Sequence, residues 1–112
     1  MENLRSEIYK EINPEFGAGP DVSVSAIGNI YTRMMRFNSK GTKELGHSHT
    51  FDHMTILASG KLKVTVDEKE TEFKAPAMIY IKAGKVHELE AMEDRTLAFC
   101  VHALRKADDY TD

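Results

Sequence analysis

The sequence predicts an all-β domain, a small jelly roll of antiparallel strands, on three observations. From Val22 onward, short apolar or alternating runs succeed one another with turn residues between them, at the spacing of a sandwich or barrel. Leu62, Val64 and Val66 alternate with Lys61, Lys63 and Thr65, giving one apolar and one wet face at the period of a strand. No helical segment of useful length interrupts this series after its start.

At the amino end, Leu4, Ile8 and Ile12 stand four apart among charges, which suits a short amphipathic helix or arm lying on the barrel or on a neighbouring subunit. Asn13-Pro14 ends it, because the residue before proline is driven out of the helical region. Gly17, Gly19 and Pro20 then form a link. The expected division is an arm and linker over 1–20, a barrel over 21–105 and a tail over 106–112. Strands are expected near 22–26, 30–37, 45–50, 53–58, 61–66, 70–74, 78–81, 86–91 and 96–104, with a hairpin turn at Asp67-Glu68-Lys69.

Two strands have a parity that bears on function. In 30–37, Tyr31, Met35 and Phe37 form the apolar set and carry Arg33 with them. A cation turned into a barrel is costly unless paired, so Arg33 is either an anchor for an anionic substrate group or the partner of a buried carboxylate. The alternative is that its head snorkels to the rim. In 96–104 both alternating sets are fairly apolar, which implies a strand buried on both faces or covered by the arm.

A chain of 112 residues supports one core and therefore one site. Its 15 basic and 18 acidic residues are scattered, which gives no footprint for nucleic acid and no polybasic membrane patch. The apolar runs are too short to span a membrane, and the start MENLRSEIYKEI is too charged for a signal peptide, so a cytoplasmic location is expected. Cys100 is the one cysteine, so no internal disulfide forms.

The chemistry concentrates between Gly41 and Gly60. His47, His49 and His53 fall within seven positions of a chain with 5 histidines, and His87 follows a turn at Gly84 farther on. Imidazole donors suit Zn, Fe, Ni or Cu far better than Mg or Ca. His53 reads as a ligand or as a donor that orients another ligand.

The segment resembles the first motif of the cupins: Gly41, five residues, His47-x-His49, three residues, His53, six residues, Gly60. The family usually has Glu where this chain has His53. The second cupin motif is matched at Gly84 and His87, while Pro76, Lys82 and Ala91 replace its usual Gly, Pro and Asn. The resemblance implies a double-stranded β-helix, a homodimer with the arm at its interface, and one divalent transition metal (Fe, Zn, Ni or Mn) on His47, His49, His53 and His87. Four neutral imidazoles leave the charge of such an ion uncompensated, which strengthens it as a Lewis acid and favours an anionic oxygen ligand.

The expected function is then a metal-dependent enzyme, a dioxygenase or an isomerase or cyclase, acting on a small oxygen-rich organic molecule. A non-catalytic module holding metal and a small ligand is the alternative. Tyr31, Arg33 and Met35 are the candidate substrate contacts, and no catalytic base is assigned. Glu44 and Asp52 read as exposed loop charges, Cys100 as an inert buried thiol, and His102 as packing or surface. Met34, Met35, Met54 and Met78 read as cavity lining or core filling, and Tyr31 and Tyr80 as possible cavity hydroxyls.

Overall fold

Ten strands, paired entirely antiparallel, make two sheets in the computed structural model, which describes residues 10–12, 19–47 and 53–103, with side chains over 19–45 and 54–103. They are β1 (Lys10–Ile12), β2 (Asp21–Ile27), β3 (Ile30–Phe37), β4 (Lys43–His47), β5 (His53–Ser59), β6 (Lys61–Val66), β7 (Lys69–Lys74), β8 (Ala77–Ile81), β9 (His87–Ala91) and β10 (Thr96–Ala103). One sheet runs β1-β2-β3-β10-β5-β8 and the other β4-β9-β6-β7. The sandwich they form is the expected jelly roll, and the described residues contain no helix. Of the helix or arm expected over 1–12, residues 1–9 lie outside the described residues, and Lys10–Ile12 are extended rather than helical, pairing with Val22–Val24 as the edge strand β1. The backbone of β2 offers ladder partners there, and they outweigh a helical spacing of three apolar residues.

Between the sheets lies one core. Phe37, Met35, Leu57, Leu62 and Leu89 are fully buried in it, with Val64, Ile79, Ile81 and Ala91 around them. Each large side chain so buried contributes about 1.5–3 kcal/mol relative to exposure. The packing decides the parity of β10, which alternation alone left open. Ala98 is the ladder partner of both Met35 and Leu57, so a small side chain fits between two large ones. Thr96, Ala98, Cys100 and His102 thereby take the inner side, while Leu97, Phe99 and Val101 are half-buried on the outer one.

Gly60 shows why the β5–β6 turn needs glycine. Its φ is 84°, and an added Cβ would lie 2.8 Å from Thr96 Cα and 2.3 Å from Thr96 Oγ1. That hydroxyl already donates to the Glu93 carbonyl at 2.9 Å, so it has little freedom to move aside. Charges gather on the outer side of the smaller sheet, where Lys63 bridges Glu70 and Glu90, Lys61 pairs with Glu72 and Lys43 with Glu88. The hydrogen bond that Lys63 donates to Glu90, then the nearby charges of Glu70 and Glu90, hold the Lys63 ammonium above its ordinary pKa against partial desolvation.

Candidate metal centre

The connection 82–86 joins the end of β8 to the start of β9. Ladder pairing sets the start of β5 beside the first of these and the end of β4 beside the second, at one mouth of the barrel. Three of the four predicted ligands occupy those positions: His47 ends β4, His53 begins β5 and His87 begins β9. His49, like Asp52, lies outside the described residues.

His87 is placed most fully. It is 4% exposed and begins the buried inner set His87, Leu89, Ala91. Its Nδ1 lies 3.2 Å from the Lys85 carbonyl oxygen, which can only accept, so that contact holds the ring proton on Nδ1 and the lone pair on Nε2. This is the tautomer in which imidazoles commonly bind metals.

His47 is the Cα partner of His87 across the β4–β9 ladder. A register shift between Glu44 and His47 makes this possible. Strict alternation from the inward Glu44 would give Gly46 the inner register position. One extra residue hands that position to His47, as bulges near functional sites commonly do. His53 pairs with Ile81, which is 2% exposed, and shares the parity of the buried Thr55 and Leu57. Among the described residues no group of three His, Cys, Asp or Glu side chains stands at metal-holding distance.

The candidate substrate contacts have distinct settings. Met35 is wholly enclosed by core side chains, and Tyr31 is 5% exposed with its ring 4.8 Å from that of His102. Arg33 takes the inner parity and pairs with Glu44, with its Nη1 also 3.2 Å from Met35 Sδ. Glu44 is therefore no exposed loop charge: it is a strand residue whose side chain is 13% exposed and which bridges to the other sheet.

His102 is buried on the inner side, not spent on the surface. Its Nδ1 approaches the Ala103 carbonyl at 3.3 Å. The residue before it, Val101, pairs with Met54 of β5, the residue after His53. Parity was the available signal, and the apolar character of both sets in β10 hid it. Cys100, half-buried, is likewise not free of polar contact, for its Sγ lies 3.3 Å from Thr55 Oγ1.

A hollow of about 460 Å³ opens where β7 and β8 edge their two sheets. Val64, Val66, Phe73, Ile79 and Ile81 wall it, and Lys69 and Lys85 stand at its rim. Val66 and Ile81 are the ladder partners of His87 and His53, so this space adjoins the histidine mouth. A second hollow of about 530 Å³ includes His87 with Thr65, Asp67, Glu68, Val86 and Glu88. Tyr31, Arg33 and Met35 line neither. Of the four methionines read as cavity lining or core filling, Met34, Met54 and Met78 point outward and Met35 alone joins the core. Tyr80 is 67% exposed and reaches only the rim of the first hollow.

Fold and histidine placement together define a small antiparallel β-barrel protein with a polar mouth. Residues 33–102 match the family model of the cupin domain, and the chain belongs to that family. Solved structures share the architecture at low identity. KdgF from Halomonas sp. superposes with a TM-score of 0.72 at 15% identity, over 94% of this chain and 93% of that one. An RmlC-like cupin from Shewanella frigidimarina gives 0.71 at 14%, over 90% and 88%. A predicted oxalate decarboxylase from Thermotoga maritima gives 0.62 at 14%, over 88% and 92%. No curated protein matches the chain.

Proposed function

We propose that this chain is a cytoplasmic metal-dependent cupin enzyme that converts a small oxygen-rich organic molecule at a centre built from His47, His49, His53 and His87. The observation that carries the reading is the pairing of His47 with a buried His87 whose ring proton is held on Nδ1. Neutral imidazoles of this kind suit Fe, Zn or Ni. The ion, when bound, would supply Lewis acidity, or with iron the binding of dioxygen.

The remaining steps fall to the chain. The apolar walls Val66, Ile79 and Ile81 exclude water beside the mouth, and the Lys69 ammonium at the rim attracts an anionic substrate, Lys85 there being paired with Asp67 at 3.0 Å. Arg33, committed to Glu44, holds the two sheets in register near the site. Similarity to a predicted oxalate decarboxylase is in keeping with a carboxylate-bearing substrate.

Metal analysis of untagged protein, followed by dioxygen consumption and a turnover screen over small keto and hydroxy acids, tests this. Turnover that disappears in His87→Gln supports it. Tight ligand binding without turnover by metal-loaded protein would establish the non-catalytic module instead, a reading favoured by the charge neutralisation of Arg33 by Glu44.

A further inference from the structure

We propose that the hollow between the β7 and β8 edges takes the apolar tail, aryl or branched alkyl, of a 2-hydroxy or 2-oxo acid whose carboxylate sits at Lys69. This deepens the proposed function and rests on it for one point only, that the oxygens of the acid face the histidines.

Ladder register arranges the hollow in rows. His47, His87, Val66 and Lys69 are successive partners across β4, β9, β6 and β7. The ammonium and the buried imidazole of His87 thus belong to strands two apart, roughly 10 Å at the backbone, with a valine between them. Deeper in, the next row of β6 and β7 is Val64 with Thr71, and the one after it is Leu62 with Phe73. Neither carries a charge. Ile81 and Ile79, 2% and 5% exposed, close the hollow from the other sheet. One end is therefore charged and the other apolar.

That gradient selects both ends of the ligand. A hydrocarbon tail gains by leaving water among Val64, Phe73 and Ile79. A polyhydroxy tail would lose its hydrogen bonds to water there, and among the described residues of the two deeper rows Thr71 alone has a hydroxyl to replace them. The volume of about 460 Å³ lies in the range of small-molecule sites. At the rim, no carboxylate among the described residues pairs with Lys69, because Asp67 is taken up by Lys85 at 3.0 Å. An ammonium left uncommitted beside apolar walls favours an acid with one carboxylate at one end.

Calorimetric titration of the full chain, metal-loaded and again after chelation, tests this with three 2-hydroxy acids of equal charge. Lactate has almost no tail, gluconate a polyhydroxy tail and 3-phenyllactate an apolar one. In both states 3-phenyllactate should bind at least about tenfold more tightly than either of the others, as burial of a phenyl group requires. Lys69→Gln should weaken 3-phenyllactate about tenfold, the loss expected for a charge-assisted contact. Thr71→Trp places a large strand-forming side chain at an exposed edge position and fills the hollow. It should weaken 3-phenyllactate about tenfold more than lactate. Circular dichroism checks the fold of each variant, and the comparison of the three acids on the parent needs none. A chain that holds no metal yet prefers 3-phenyllactate upholds the hollow and removes the metal reading. Metal-loaded protein that fails to bind 3-phenyllactate, that binds gluconate or lactate as tightly, or whose preference survives a folded Thr71→Trp overturns the proposal and leaves the metal reading standing.

Discussion

Arg33 on β3 and Glu44 on β4 form an ion pair that ties the six-stranded sheet to the four-stranded one. The side chains are 27% and 13% exposed, so each charge has lost much of its water and depends on the other. Glu44→Gln should therefore lower stability by about 1–3 kcal/mol, because it leaves a guanidinium half-buried without its carboxylate. Arg33→Met combined with Glu44→Gln should cost less than the two single changes added together, with a coupling of about 0.5–3 kcal/mol in a double-mutant cycle of urea melts. Strict additivity would mean that the pair does not join the sheets energetically.

Gly60→Ala should be harsher than its single methyl group suggests. The position combines a φ of 84° with a Thr96 backbone that an added Cβ would approach to 2.8 Å. Left-handed strain of roughly 1–2 kcal/mol adds to an overpacking cost of about 1–3 kcal/mol. A denaturant midpoint unchanged from the parent would show that the β5–β6 turn can shift away from Thr96.

Strand order, turns and the burial of Tyr31, Met35 and Phe37 were legible because side-chain alternation and turn residues are local properties. The pairing of Lys10–Ile12 with β2 was not, since a strand edge recruits backbone whatever its helical spacing. Glu44 escaped for a related reason: its role depends on Arg33, eleven residues away and in the other sheet. Spacing alone brought out the histidines, but it could not reveal that an extra residue after Glu44 sets His47 against His87. The choice of the His102 side of β10 needed the tertiary fit of Ala98 between Met35 and Leu57.

Alkaline pH offers a test of the charged outer face. Lys63 is raised above the ordinary 10.5, first by its hydrogen bond to Glu90 and then by the charges of Glu70 and Glu90. A raised lysine contributes stability that is fully present below its unfolded value and is lost as pH climbs through the folded one. Stability should thus fall above about pH 10.5 in the parent, and less steeply in Lys63→Met. Identical slopes in melts across that window would remove Lys63 from the account.

The metal reading makes the sharpest demand. Imidazoles bind metal only when neutral, so protons compete with the ion, and an ordinary histidine titrates near about 6.5. Bound metal lowers that effective value, and loss should therefore begin below it and be steep, because several rings protonate together. Dialysis at a series of pH values, with metal content read by elemental analysis, should show full occupancy near neutrality and none under strong acid. His87→Gln should weaken metal binding more than the about 10–100-fold typical of losing an outer partner, while preserving the fold by circular dichroism. In the proposed centre His87, buried with its Nδ1 against the Lys85 carbonyl, acts as a ligand rather than a support. Unchanged metal content in that variant, or stoichiometric metal after acid dialysis of the parent, would exclude imidazole ligation at the mouth of the barrel.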